Sequence, residues 1–431
     1  MKKQILKNLK IIISVLLILT TSSVTLDAQN EDYKLSEVVV LSRHNIRAPL
    51  STKGSVLDSA TPHTWYEWSS AASELSLRGG ILETAMGQYF RKWLVDEELI
   101  PENYRPENNE VRFYANAKQR TIATAQYFSS GFLPVANVEI ETNQEYDKMD
   151  PVFTPQLTFV SDEYIQDATA QMYKLIPDLS NEYALLEDVL DMKESDAYKN
   201  KEITDLVNGD VTFKMELNAE PGMTGSLKTG TSLADALVLQ YYEEEDEYKA
   251  AFENNLTFEQ WKSISYIKDV YGDVLFTAPL VSVNVAHPLL QEIYSELNND
   301  ERLFTFLCGH DSNVGSVLAA LDVKDYNLPE AIEAKTPIGC KLVFEKYQKG
   351  NSEYIKVCLI YNSVDDLRNI SIHNLDNPPV IYEFEFNGLT KNSDGYYEAK
   401  DFYNQLTKAI KAYDDIVNKY GDQSIPVTGI N

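Results

Sequence analysis

Cysteine is scarce in this chain: there are three in 431 residues, Cys308, Cys340 and Cys358, all in the last third. An odd number permits at most one internal disulfide and leaves a thiol over. Each lies in a strand-like stretch (FTFLC, GCKLVF, IKVCLIY), where a small buried apolar side chain is the simpler reading. No pair has metal-ligand spacing, and neither HExxH nor CxxC occurs, so the usual zinc signatures are excluded. The GxSxG elbow of serine hydrolases is also missing, and Gly225 to Thr229 (GSLKT) lacks the glycine that a phosphate-binding GxxxxGK[ST] loop needs before lysine. Positive charge is in short supply too, with 38 Lys and Arg against 66 Asp and Glu and a formal net charge of −28 at pH 7. Such a field argues against nucleic acid and anionic membrane surfaces as partners, and any phosphate site must overcome it with a local basic cluster. Repeats, low-complexity blocks and obvious linkers are absent.

At the N-terminus, Lys2, Lys3, Lys7 and Lys10 precede an apolar run from Ile11 to Leu19 and then small or polar residues to Ala28. This is the layout of a secretory signal peptide over residues 1–28, although Leu26-Asp27-Ala28 is a poor small-x-small match; the competing reading is a retained anchor. No cysteine lies near the cleavage point, so a lipid anchor is not suggested. No later apolar segment is long enough to be a membrane span. Cleavage would remove four lysines and one aspartate and leave a net charge of −31.

The remaining ~400 residues suit one large domain with an insertion, or two domains. Up to about Ser130, strand-like and helix-like segments alternate: Val38 to Leu41, GGILETAMGQYFRKWLV from Gly79, Val111 to Ala115, then Thr121 to Phe128. This order predicts an α/β fold with a mostly parallel central sheet flanked by helices. From Pro151 to Val274 the helical period dominates (YIQDATAQMYKLI, EYALLEDVLDM, SLADALVLQYYEE), which predicts an inserted, mainly helical cap over residues 151–274. The acidic run Glu243 to Glu247 within it reads as a solvated face. Strand-like runs return after residue 275 (LFTFL, CKLVFEKY, YIKVCLIYN, PVIYEFEF), so that 29–150 and 275–431 form the α/β domain.

Three strand ends carry polar groups of one kind. The four aliphatic residues Val38 to Leu41 lead into Arg43-His44-Asn45-Ile46-Arg47, the Val111 strand runs through Tyr114 and Asn116 to Arg120, and the Leu303 strand ends in Gly309-His310-Asp311. If these strands are parallel neighbours, their C-terminal ends gather three arginines, two histidines and an aspartate at one sheet edge, where open α/β sheets bind ligands. Arginine forks bind phosphate oxygens bidentately and neutralise a transferring phosphoryl group. An imidazole can attack phosphorus and carry the group, and a carboxylic acid can protonate the leaving alkoxide. Only five histidines exist; His63, His287 and His373 lack this context and read as structural or exposed.

Arg43-His44-Asn45-Ile46-Arg47-Ala48-Pro49 matches the RHxxRxP signature of the histidine acid phosphatases, and His310-Asp311 matches their HD motif. The resemblance runs along nearly the whole mature chain (GSVLDSATPHTWYEW, YANAKQRTIATAQYF, MDPVFTP, EPGMTGSLKTG, GHDSNVGSVLAALD, TPIGCKLVF), and within the family it is strongest to the bacterial periplasmic glucose-1-phosphatases. It implies a two-step mechanism with no metal and no other cofactor. His44 would be the nucleophile and Asp311 the proton donor, while Arg43, Arg47, Arg120 and His310 would hold the phosphate. Glu220 falls where such enzymes place a carboxylate facing the sugar, and Leu50 would line the pocket entrance. The characterised bacterial relatives carry several disulfides, which three differently placed cysteines cannot reproduce.

The expectation is therefore a periplasmic or secreted acid phosphatase acting on sugar phosphate monoesters, with glucose 1-phosphate favoured. Its partner would be a small phosphate ester, with no nucleic acid and no membrane after signal cleavage; a homodimer is compatible with the sequence. A phytase or broad-specificity acid phosphatase is the alternative within the class, and a phosphosugar-binding protein without turnover is the alternative outside it. A phosphoglycerate mutase-like enzyme fits an exported chain less well.

Overall fold

The computed structural model describes residues 32–50, 55–107 and 109–421; the signal peptide expected over 1–28 lies outside the described residues. Among the described residues the main sheet has seven strands: β1 (Lys34–Arg43), β2 (Val111–Ala115), β5 (Phe304–Gly309), β6 (Lys341–Lys349), β7 (Ser352–Tyr361), β8 (Val380–Glu383) and β9 (Tyr397–Glu398). Their order is β2-β5-β1-β6-β7-β8, with β9 paired to β7. Val38 to Leu41 are fully buried because both faces of β1 are covered. Val38 and Val40 pack with Met86, Phe90 and Phe128 from helices α1 (Leu77–Asp96) and α2 (Gln119–Phe132). Val39 and Leu41 pack with Leu290, Val317 and Phe402 from α7 (Pro279–Leu297), α8 (Asp311–Ala320) and α9 (Ala399–Tyr420).

The sheet is mixed rather than mostly parallel. β1 and β2 both pair β5 in parallel, whereas β6 to β9 join in antiparallel pairings. The difference lies in the connections: β6 and β7 are linked only through the turn at Gly350 and Asn351, with Gly350 at φ +60°, and so short a link permits only antiparallel pairing. The parallel part is the part that matters chemically, since it lines up the C-terminal ends of β2, β5 and β1.

Between α2 and α7 the chain forms the helices α3 (Asp162–Lys174), α4 (Ser180–Val189), α5 (Ser226–Glu243) and α6 (Phe258–Phe276). Periodicity missed a two-stranded hairpin there, β3 (Val211–Lys214) with β4 (Gly222–Gly225), whose short strands alternate only weakly. In the acidic run Glu243 is buried beside Arg78, 3.6 Å away, whereas Glu245 to Glu247 are exposed. All three cysteines are free and buried. Among the described residues no single helix is long and apolar enough to cross a membrane.

Candidate active site

The loop after β1 is held at almost every backbone position. His44 N–H donates to Gly309 O (3.1 Å), Gly339 N–H donates to His44 O (3.1 Å), Ser76 N–H donates to Ile46 O (2.9 Å) and Ala48 N–H donates to Glu74 O (3.0 Å). The Asn45 side chain spans this loop, donating to Glu83 Oε1 (2.7 Å) and accepting from Ile46 N–H (2.8 Å). Glu83 is in turn paired with the fully buried Lys341 at 2.8 Å. Two glycines permit the approach. A Cβ on Gly79 would lie 2.4 Å from Ile46 O, and Gly339, at φ +70°, would press one to 2.5 Å from Asn45 Nδ2.

This frame sets the first cluster beside the two others. His44, Arg43, Arg47, Arg120, His310, Asp311, Glu220 and Leu50, the eight residues singled out by sequence, all line one cavity of about 300 Å³. The His44 and His310 rings stand edge-on, 5.6 Å between centroids. Arg43 is buried, donating to Glu333 Oε1 (2.7 Å) and the Thr336 carbonyl, with Nη2 3.3 Å from Asp311 Oδ2. Asp311 opens α8, its Oδ1 accepting from Ser312 N–H at 2.8 Å, and its side chain is half exposed to the cavity. Leu50 is exposed. Glu220 is open to solvent on one side and hemmed in on the other; burial and then the Asp311 charge raise its pKa. The remaining histidines lie elsewhere: His63 pairs with Asp191, His287 stacks on Tyr413 and His373 meets Asn362.

His44 Nδ1 is 2.9 Å from the Asn45 carbonyl oxygen. That oxygen can only accept, so Nδ1 carries the hydrogen and Nε2 keeps the lone pair. Burial, then the charges of Arg120 and Arg47, push the His44 pKa well below its usual range, which favours the neutral, nucleophilic form of the ring. Arg120 feels the same crowding: burial and Arg47 bring it down to about 10. The Nε atoms of Arg43, Arg47 and Arg120 are buried without a hydrogen-bond partner among the described residues. Cations compressed in this way define a site for an anion.

A second layer escaped the sequence reading. Arg47 Nη2 pairs with Asp235 (3.1 Å), Lys268 bridges Asp235 and Glu333 (3.0 Å each), and Glu333 holds Arg43. Glu333 also accepts from Tyr242 OH (3.1 Å) and Ile338 N–H (2.9 Å). The alternating chain Arg47, Asp235, Lys268, Glu333, Arg43 fixes both arginines from below. A signal was there to be read: Asp235 interrupts the apolar run LADALVLQYY, and Lys268 follows Ile264 and Ile267 on a helix with a buried face.

An arginine cradle around a neutral imidazole, with a carboxyl across the cavity, defines the class as a phosphoric monoester hydrolase. Residues 34–362 match the Histidine phosphatase superfamily (branch 2), and the chain belongs to that family. It is 38% identical over 401 residues to the glucose-1-phosphatase of Salmonella typhimurium, covering 91% of this chain and 97% of that one. It is 37% identical to the glucose-1-phosphatase of Providencia rettgeri, covering 88% and 93%. The Citrobacter braakii phytase structure superposes with a TM-score of 0.80 at 25% identity, over 89% of this chain and 99% of that one.

Proposed function

We propose that this phosphatase hydrolyses sugar phosphate monoesters, glucose 1-phosphate foremost, through a phosphohistidine on His44. The observation that carries the reading is the His44 tautomer: an imidazole tied through Nδ1–H to the Asn45 carbonyl, its Nε2 in a cavity walled by three arginines. Nε2 attacks phosphorus, the bond to the sugar oxygen breaks, and the Asp311 carboxyl gives its proton to the departing alkoxide. Water then attacks phosphorus as the Asp311 carboxylate takes up its proton. The P–N bond breaks, and inorganic phosphate and neutral His44 result. Arg43, Arg47, Arg120 and His310 hold the phosphoryl oxygens through both steps.

The glucose-1-phosphatase names of the relatives at 37–38% identity support the substrate, as does Glu220 in the cavity wall, which offers an acceptor to sugar hydroxyls. A hexakisphosphate would meet repulsion there from a chain of net charge −28. The segment 151–274 serves as the cap over this cavity, and the layout of residues 1–28 supports export to the periplasm or beyond. The test is phosphate release by the mature chain from glucose 1-phosphate, glucose 6-phosphate and phytate, together with rapid-quench trapping of labelled phosphate on protein. Preference for glucose 1-phosphate and a label lost in His44→Ala are expected. Preference for phytate overturns the substrate, and a label that persists in the variant overturns the nucleophile.

A further inference from the structure

Both nitrogens of the His310 ring meet side chains that bring hydrogens. Asn116 Nδ2 lies 2.8 Å from Nε2, and Arg120 Nη2 lies 3.4 Å from Nδ1. A neutral imidazole accepts at one nitrogen only, and a guanidinium never accepts. The Asn116 amide decides between them. Its Oδ1 accepts from Asp150 N–H at 3.0 Å, so its NH2 must face His310; turned over, it would set N–H against N–H. Asp150 is fixed in its own right, with Oδ2 accepting from Tyr114 OH (2.7 Å) and Oδ1 from Val152 N–H (2.9 Å). Asn116 is fully buried, and its own N–H donates to Cys308 O at 3.0 Å. The Asn313 N–H, at the first turn of α8, meets the His310 carbonyl at 3.2 Å as well as the side chain of this capping residue.

Nε2 is therefore the acceptor, and the hydrogen sits on Nδ1 beside an Arg120 N–H. Two donors 3.4 Å apart in a cavity wall can converge on one acceptor, and in a phosphatase that acceptor is a phosphoryl oxygen. We infer that Asn116 is a positioning residue: it locks His310 in the Nδ1–H tautomer, so that His310 and Arg120 present paired donors to one phosphoryl oxygen. This deepens the phosphomonoesterase reading and rests on it. The charged surroundings keep the ring neutral: besides burial, Arg120 from α2, Arg47 and Arg43 from the loop after β1, and Lys118 before α2 all push its pKa well below the usual range. On its own helix Asp311 is paired with Arg43, and His44 faces it edge-on.

Asn116→Asp in the mature chain is the discriminating variant. The carboxylate still accepts from Asp150 N–H but has no hydrogen for His310, so neutral His310 turns its own N–H toward it from Nε2 and offers the phosphate a lone pair. The donor returns only when the ring is doubly protonated. The expected result is a fall in kcat/KM for p-nitrophenyl phosphate of about ten- to a hundredfold at pH 7, with most of the loss recovered on acidification. A loss of equal size at every pH, or none, overturns the proposal. Independently of activity and of this variant's folding, 15N NMR of the unsubstituted chain, with His310 assigned through His310→Gln, should report a neutral ring protonated at Nδ1; protonation at Nε2 overturns the proposal. Inactivity of the unsubstituted chain toward every monoester would instead strike the functional reading and leave the NMR result standing.

Discussion

Replacing Glu333 by glutamine tests whether the phosphate clamp depends on the charge chain beneath it. Burial alone would raise this carboxyl, but Arg43 and Lys268 outweigh it and hold the pKa at about 2, against an ordinary 4.5. The difference corresponds to about 3 kcal/mol of folding stability, in line with the ~3–5 kcal/mol typical when one partner of a buried ion pair is removed. Because the folded-state pKa is depressed, this stability is fully present above pH 4.5 and lost as pH falls toward 2. Glutamine keeps the shape, but its NH2 would face donors from Arg43, Lys268, Tyr242 or Ile338. Urea unfolding at pH 7 should show Glu333→Gln about 3 kcal/mol less stable, and the deficit should shrink as both proteins are taken toward pH 2. Arg43, released from its 2.7 Å anchor, should also lose alignment with the phosphoryl group, lowering kcat/KM for p-nitrophenyl phosphate by roughly a hundredfold. Unchanged stability at pH 7, or a deficit that stays constant with pH, would refute the claim that Glu333 works as a paired carboxylate.

Asp311→Asn should slow sugar phosphates far more than p-nitrophenyl phosphate, whose leaving group needs little protonation; steady-state rates showing equal slowing of both would remove Asp311 from the general-acid role. At the far end of β1, buried Glu37 is raised to about 8, chiefly by desolvation, and Asp269 beside the cavity to about 7 for the same reason. A raised folded-state pKa gives stability that is full below about pH 4 and lost as pH climbs to about 8; Glu37→Gln should flatten that alkaline decline in thermal unfolding, and an unaltered slope would count against it. Activity is expected to persist in EDTA, and a loss restored by added divalent metal would contradict a mechanism run by side chains alone.

Much of this site was legible because its chemistry lies at strand ends. Four aliphatic residues followed by Arg43 and His44 mark a buried strand leaving the sheet, and the pairing of Arg43 with Gly309 and of Ala115 with Cys308 across β5 brings the other two clusters alongside. Strand direction was less legible, since the period of two that reveals β6 and β7 is the same in parallel and antiparallel pairings. Asp235, Lys268 and Glu333 escaped because their meaning is pairwise. Each alone is an ordinary charged residue, and only the packing of α5, α6 and the segment between α8 and β6 around the β1 loop makes them one chain. Asn116 lay in a segment read only as the route from Tyr114 to Arg120, and its role depends on which way an amide is turned.

The charge chain also explains how so acidic a protein can hold an anion. Arg43 and Arg47 are each paired with a carboxylate below, which fixes their direction and offsets part of their charge. Arg120 has no such partner among its described ion pairs and is the cation whose pKa falls, to about 10 through burial and Arg47. The least closely paired of the three guanidinium charges is thus that of Arg120, beside the His310 Nδ1–H, with Asp311, Glu220 and Asp147 offsetting it only from a distance. A phosphoryl group arriving there relieves the repulsion between Arg120 and Arg47, while an acceptor without charge, such as a sugar hydroxyl, does not. Preference for the phosphoryl end of a phosphate ester follows from Arg120 having no ion-pair partner among the described residues while Arg43 and Arg47 each have one.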